Sequence, residues 1–125
     1  ALSNLMSAGI KEVLFISRKQ DVQIFKKLFG TGSQLGMRFK YTFQTKPKGI
    51  PDAINVANKF IAKHPFVLAL ADNLFIGESF QKTLRQVQSI KSGAAVLAVK
   101  TKYPSKSAVI DLGKKGKIKS IIEKP

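Results

Sequence analysis

Asp72 is the first carboxylate after a continuous apolar run, Phe66-Val67-Leu68-Ala69-Leu70-Ala71, which His64-Pro65 introduces. Such a run is too short to span a membrane. It predicts a strand buried on both faces, the state of a central parallel strand. Open α/β sheets bind ligands just outside the carboxyl ends of their strands. An acidic oxygen placed there can hold a hard cation such as Mg²⁺. Two readings of Asp72 stand at this point: a metal ligand, or a cap for the segment beyond it. The glycine-rich stretch Gly30, Gly32, Gly36 is a different matter. No Gly-Lys-Ser/Thr follows it and no strand immediately precedes it, so it is a loop and not a P-loop phosphate cradle.

The elements that must position these residues alternate along the chain. Leu2, Leu5, Met6 and Ala8 predict a short opening helix ended by Gly9. Val13–Ser17 predicts a strand. A helix then starts at Gln20-Asp21, carries Ile24, Phe25, Leu28 and Phe29 on its apolar face, and stops at Gly30. Phe39, Tyr41 and Phe43 alternate with Lys40 and Thr42, as in a strand with one exposed face. Gln44 to Ala53 is a loop that enters a helix at Pro51, and that helix carries Ile54, Ala57, Phe60 and Ile61 on one side. After the Phe66–Ala71 strand and a turn closed by Gly77, a further helix carries Phe80, Leu84, Val87 and Ile90, with Glu78 or Ser79 able to cap it. Ala94–Val99 predicts another buried strand. Short strands at 109–112 and 118–122 flank a turn at Gly116. This order predicts an α/β fold: a mostly parallel, Rossmann-like sheet with helices on both faces.

Composition narrows the possibilities. At 125 residues and 44% apolar, the chain can bury a core and is expected to form a single domain over 1–125. It has no cysteine, which excludes disulfides and thiolate metal sites and suits a reducing compartment. The first ten residues lack the pattern of a signal peptide and no stretch reads as a membrane span, so the expected location is the cytoplasm. The net charge of +15 invites a nucleic-acid reading, but all of the 22 basic residues except Arg18, Arg38 and Arg85 are lysines, and they are scattered. Base edges and phosphate forks prefer arginine. No aromatics interleave with the lysines as a stacking platform would need. A solvated lysine surface that attracts anionic substrates fits better.

Five groups of residues, in order, carry a resemblance to a known family. They are Leu2-Ser3-x-Leu5-Met6-x-Ala8-Gly9-Ile10 with Glu12–Ser17; Phe29-Gly30-x-Gly32-Ser33-x-x-Gly36; Tyr41-x-x-Gln44-x-x-Pro47-x-Gly49-Ile50-x-x-Ala53; Asp72-Asn73-x-Phe75-x-Gly77; and Glu123-Lys124-Pro125. The chain resembles the sugar-1-phosphate nucleotidylyltransferases, and in detail the glucose-1-phosphate thymidylyltransferases. The resemblance implies attack of a sugar 1-phosphate oxygen on the α-phosphorus of dTTP or UTP, with departure of pyrophosphate. It implies that Asp72 is catalytic as a Mg²⁺ ligand, and that Gln44 and Gly49 bind the pyrimidine. The Gln44 amide offers a donor and an acceptor, and Gly49 has no side chain to obstruct the base. It implies that Glu123 and Lys124 hold the sugar and its phosphate. The resemblance implies homo-oligomeric assembly of the full-length protein, while the scattered lysines and the lack of a long apolar stretch argue against nucleic-acid and membrane partners.

The chain departs from the family pattern in four places. Ala71 stands where the family has glycine, and Ser107-Ala108 stands where it has Tyr-Gly or Phe-Gly. The family's first strand, with its Gly-x-Gly-x-Arg loop, does not occur in the chain. A second metal-binding aspartate would lie beyond Pro125. The resemblance therefore implies the central part of an enzyme, expected to be inactive or nearly so alone. Two alternatives remain: a lysine-rich α/β binding module, in which Gln44, Gly49 and Asp72 share no pocket, and a nucleic-acid binder, in which the lysines gather on one face.

Overall fold

The computed structural model describes residues 1–46, 48–73, 76 and 78–125. They form two compact units, Ala1–Ser89 and Ile90–Pro125. The turn expected at Gly77, and the side chains of Glu78, Ser79 and Phe80 expected to cap and line a helix, lie outside what is described, as do Pro47 and Phe75 of the motifs.

The first unit runs α1 (Leu2–Ser7), β1 (Glu12–Arg18), α2 (Val22–Phe29), β2 (Arg38–Gln44), α3 (Ile50–Ile61) and α4 (Glu78–Gln88). β1 and β2 pair in parallel, in register from Glu12 opposite Arg38 to Arg18 opposite Gln44. A parallel pair needs a crossover, and α2 supplies it. Alternation along the strands then decides what each helix covers. Phe15 lies stacked on Phe29 of α2, with ring centroids 5.2 Å apart, and edge-on to Phe39 at the same spacing. Lys40 points to the opposite face, its Nζ 5.6 Å from the centre of the Phe60 ring on α3. Helices thus cover both faces of a parallel sheet, the α/β arrangement that the periodicity predicts. Among the described residues of this unit, Ala8, Val22, Met37, Phe39, Ala57 and Leu84 are the buried apolar ones.

Two expectations need correction. The apolar face of α2 is narrower than predicted: Phe25 and Phe29 meet the sheet, whereas Ile24 and Leu28 are 64% and 67% exposed. These pairs lie on adjacent stripes about 100° apart around the helix, and a two-stranded sheet covers one stripe. The second correction concerns Phe66–Ala71, which forms no regular element and stays exposed, with Phe66 at 50%. A strand is made by its neighbours, since its N–H and C=O groups need ladder partners. Among the described residues of this unit the sheet holds β1 and β2, and neither pairs with the run.

In the second unit, β3 (Ala108–Leu112) and β4 (Ile118–Glu123) form an antiparallel hairpin around a short turn at Lys114–Gly116. Lys119 Nζ lies 3.6 Å from Asp111 Oδ2 across the pair. The strand expected at Ala94–Val99 is likewise an exposed segment without a ladder, Val99 being 89% exposed. Among the described residues no helix is long and apolar enough to cross a membrane.

Candidate active site

The candidate site of the first unit is built where β2 ends and α3 begins. Gln44 is the last residue of β2, and Gly49 sits just before the first turn of α3 with φ 85° and ψ −173°. That backbone conformation is open to glycine and strained for a residue with a side chain. It turns the Gly49 carbonyl so that it accepts the first helical N–H, from Ala53 at 3.3 Å, and also Gln44 Nε2–H at 3.1 Å. Pro51 in the first turn carries the φ that a starting helix requires. Asp52 follows it, where the helix N-terminus favours a carboxylate. Gln44 Nε2 donates a second hydrogen bond, 2.8 Å long, to Asp52 Oδ2. A cleft of about 330 Å³ opens beside these groups, lined by Thr45, Lys46, Lys48, Asp52 and Val56.

Gln44 and Gly49 are thus brought together at the carboxyl end of a parallel strand, which is where open α/β sheets bind ligands. The two lysine side chains of the cleft suit an anionic ligand. The Gln44 amide, held at both hydrogens, can recognise a polar edge.

Asp72 stands apart from this group. It is exposed on the Ala71–Asp72 turn, where the Asn73 N–H donates to the Leu70 carbonyl at 3.3 Å. Among the described residues no hydrogen bond or ion pair joins it to Gln44, Gly49 or Asp52. Nor do three or more histidine, aspartate or glutamate side chains among them gather into a metal cluster. An exposed carboxylate that no ion pair among the described residues engages still fits Mg²⁺, which is commonly held by one or two carboxylates with water and substrate phosphates completing its shell.

Glu123 and Lys124 belong to the second unit. Glu123 ends β4 opposite Ala108, and Lys124 N–H donates to the Ser107 carbonyl at 3.2 Å. Two of the residues that depart from the family pattern, Ser107 and Ala108, therefore lie directly beside the Glu123–Lys124 pair. Lys124 adopts φ 45°, uncommon for a residue with a side chain.

The sequence pattern alone does not single out Asp52, Lys46 or Lys48. The signal for Asp52 was available in its place in the first turn of a helix started by proline, where acids are favoured. Its meeting with an amide eight positions upstream was not.

Comparison with known proteins adds to this geometry. A family model for nucleotidyl transferases matches residues 1–125. Glucose-1-phosphate thymidylyltransferase from Neisseria meningitidis is 38% identical over 124 residues, covering 99% of this chain and 43% of that protein. The Mycobacterium tuberculosis enzyme of the same name is 35% identical over 124 residues, with the same coverage of 99% and 43%. A Bacillus anthracis crystal structure, assigned as a glucose-1-phosphate thymidylyltransferase and in complex with a sucrose, superposes with a TM-score of 0.89 at 27% identity, covering 99% of this chain and 50% of that one. The chain spans about 43% of the length of these curated relatives. With its whole length matched by the family model, the chain belongs to the nucleotidyl transferase family.

Proposed function

We propose that the intact protein transfers a nucleotidyl group from dTTP or UTP to glucose 1-phosphate, giving a nucleoside diphosphate sugar and pyrophosphate. The observation that carries this reading is the meeting of Gln44 and Gly49 at the end of β2, with Nε2 and the Gly49 carbonyl 3.1 Å apart. The names of the relatives support the substrates. Of the three residues that would share no pocket in a lysine-rich binding module, Gln44 and Gly49 meet, while no hydrogen bond or ion pair among the described residues joins Asp72 to them. The match of the family model to residues 1–125 supports the transferase over the module.

In this reading an oxygen of the sugar phosphate attacks the α-phosphorus, the bond from that phosphorus to the bridging oxygen breaks, and pyrophosphate carries away the electron pair. Gln44 and the Gly49 backbone hold the pyrimidine. Lys46 and Lys48 raise the local concentration of the triphosphate. Glu123 accepts hydrogen bonds from sugar hydroxyls, and Lys124 neutralises the sugar phosphate. Asp72 is the residue to hold Mg²⁺, which when bound supplies charge neutralisation on phosphate oxygens. Such transfers are helped chiefly by positioning and electrostatics. The absence of cysteine suits work in the reducing cytoplasm.

The test is pyrophosphate release by the intact protein from glucose 1-phosphate with dTTP, UTP, CTP, ATP or GTP in the presence of Mg²⁺. Turnover with dTTP or UTP is expected. Activity only with purine triphosphates, or none with any of the five, would overturn the proposal.

A further inference from the structure

We infer that Asp52 is a specificity-determining positioning residue: it fixes the Gln44 amide so that its carbonyl, and not its NH₂, is presented to the base. The inference rests on the reading of Gln44 as the pyrimidine-binding residue, and deepens it.

The argument starts from what surrounds one nitrogen. Gln44 Nε2 carries two hydrogens, and two acceptors take them: the Gly49 carbonyl at 3.1 Å and Asp52 Oδ2 at 2.8 Å. A backbone carbonyl and a carboxylate are acceptors only. A flipped amide would set Oε1 against both, oxygen against oxygen, so the orientation follows from the partners themselves. With both hydrogens engaged, the sequence-based expectation that Gln44 offers a donor and an acceptor to the base is reduced to the acceptor, Oε1. Asp52 is held half-buried in the first turn of α3 and also lines the cleft, so it fixes the amide from a rigid element.

An acceptor-only amide discriminates by chemistry. The N3 of uracil and thymine carries a hydrogen and can donate to Oε1. The N3 of cytosine is a lone pair and meets Oε1 as a repulsion. Asp52 therefore selects uracil and thymine nucleotides over cytosine nucleotides without touching the base. Without its carboxylate, the amide needs to abandon only the Gly49 carbonyl in order to turn its NH₂ towards cytosine.

The experiment is calorimetric binding of dTTP and dCTP to the intact protein, for wild type and Asp52→Ala, with Asp52→Leu as an isosteric second variant that also cannot accept. Thermal melts establish that each is folded. Both variants should lower the dTTP-to-dCTP affinity ratio by about tenfold, as expected for loss of one charge-assisted hydrogen bond at a reading group. Asp52→Asn, which keeps an acceptor oxygen in place, should retain most of the ratio. A purely structural role would weaken both nucleotides equally, and that result overturns the inference. Gln44→Ala separates the two levels of the argument. If it collapses the ratio while the Asp52 variants leave it unchanged, Asp52 is not the positioning residue and the base-binding reading stands. If Gln44→Ala leaves dTTP affinity unchanged, the base-binding reading itself fails.

Discussion

Phe15 of β1 and Tyr41 of β2 stack across the parallel ladder, with ring centroids 5.2 Å apart and planes 13° from parallel. Phe15 also meets Phe25, Phe29 and Phe39, so one ring joins the crossover helix to both strands. Tyr41 in turn anchors the end of α2, its hydroxyl donating to the Gly30 carbonyl at 2.7 Å. Truncating Phe15 removes a ring from the middle of this cluster. Phe15→Ala should cost about 3 kcal/mol, the low end for such a deletion because Phe15 is only half-buried. Leu28→Ala, on the exposed stripe of the same helix, should cost no more than about 0.5 kcal/mol. Urea unfolding of the two variants checks the contrast, and equal losses would mean that α2 packs through the other stripe.

Glu12 and Arg38 face each other at the start of the β1–β2 ladder, with Arg38 Nε 3.0 Å from Glu12 Oε1. The hydrogen bond and positive charge of Arg38 hold the Glu12 carboxyl below its ordinary range. A carboxylate depressed in the fold stabilises it above the value of the unfolded chain, and that contribution is lost as pH falls through the folded value. Thermal midpoints of wild type and Glu12→Gln should therefore differ slightly at neutral pH and converge below about pH 4. A gap that persists unchanged to pH 2 would mean that the pair does not contribute.

What could be read from the sequence was what neighbours along the chain decide. The alternation of Phe39, Tyr41 and Phe43 belongs to β2 by itself, and the stripe of Ile54, Ala57, Phe60 and Ile61 belongs to α3 by itself. Gln44 and Gly49 are five residues apart, close enough for a motif to hold both. Phe66–Ala71 departs from the strand that its sequence predicts because an apolar run records a demand for burial, whereas a strand also needs a partner, which the run does not encode. Ile24 and Leu28 depart from the predicted core face because helical periodicity leaves the width of the covered stripe open until the sheet is known. The sequence carries no signal for the contact of Asp52 with Gln44, a single hydrogen bond across a turn.

Gly32 adopts φ 84°, and a Cβ placed on it would fall 2.8 Å from Phe39 Cγ and Cδ2. Phe39 is itself buried and held by the Phe15 cluster, so its ring has little room to give. Gly32→Ala should cost about 2–4 kcal/mol, combining left-handed backbone strain with overpacking. Gly36→Ala, where φ is 64° and nothing lies within 4 Å, should show the backbone part alone, about 1 kcal/mol. Chemical denaturation of both variants measures the difference, and indistinguishable losses would show that the Phe39 ring moves aside freely.

Asp72→Asn should leave the fold intact, because Asp72 is exposed on a turn and the amide is nearly isosteric. In the proposed reaction it should nevertheless remove a negative oxygen from the group that holds Mg²⁺ beside the α-phosphate. Losing such an interaction, by analogy with loss of an oxyanion-hole donor, costs about 3–4 kcal/mol of transition-state stabilisation, or roughly 10²–10³ in turnover. Gln44→Ala should behave differently. Contacts to the base are alike in the ground and transition states, so its loss should raise the KM for dTTP more than it lowers kcat. Steady-state pyrophosphate release from dTTP and glucose 1-phosphate by the intact protein separates the two roles, with thermal melts establishing that both variants are folded. The Mg²⁺ concentration needed for half-maximal rate adds an independent readout, and it should rise for Asp72→Asn and stay unchanged for Gln44→Ala. If folded Asp72→Asn keeps both its turnover and its Mg²⁺ requirement, the metal belongs to other residues.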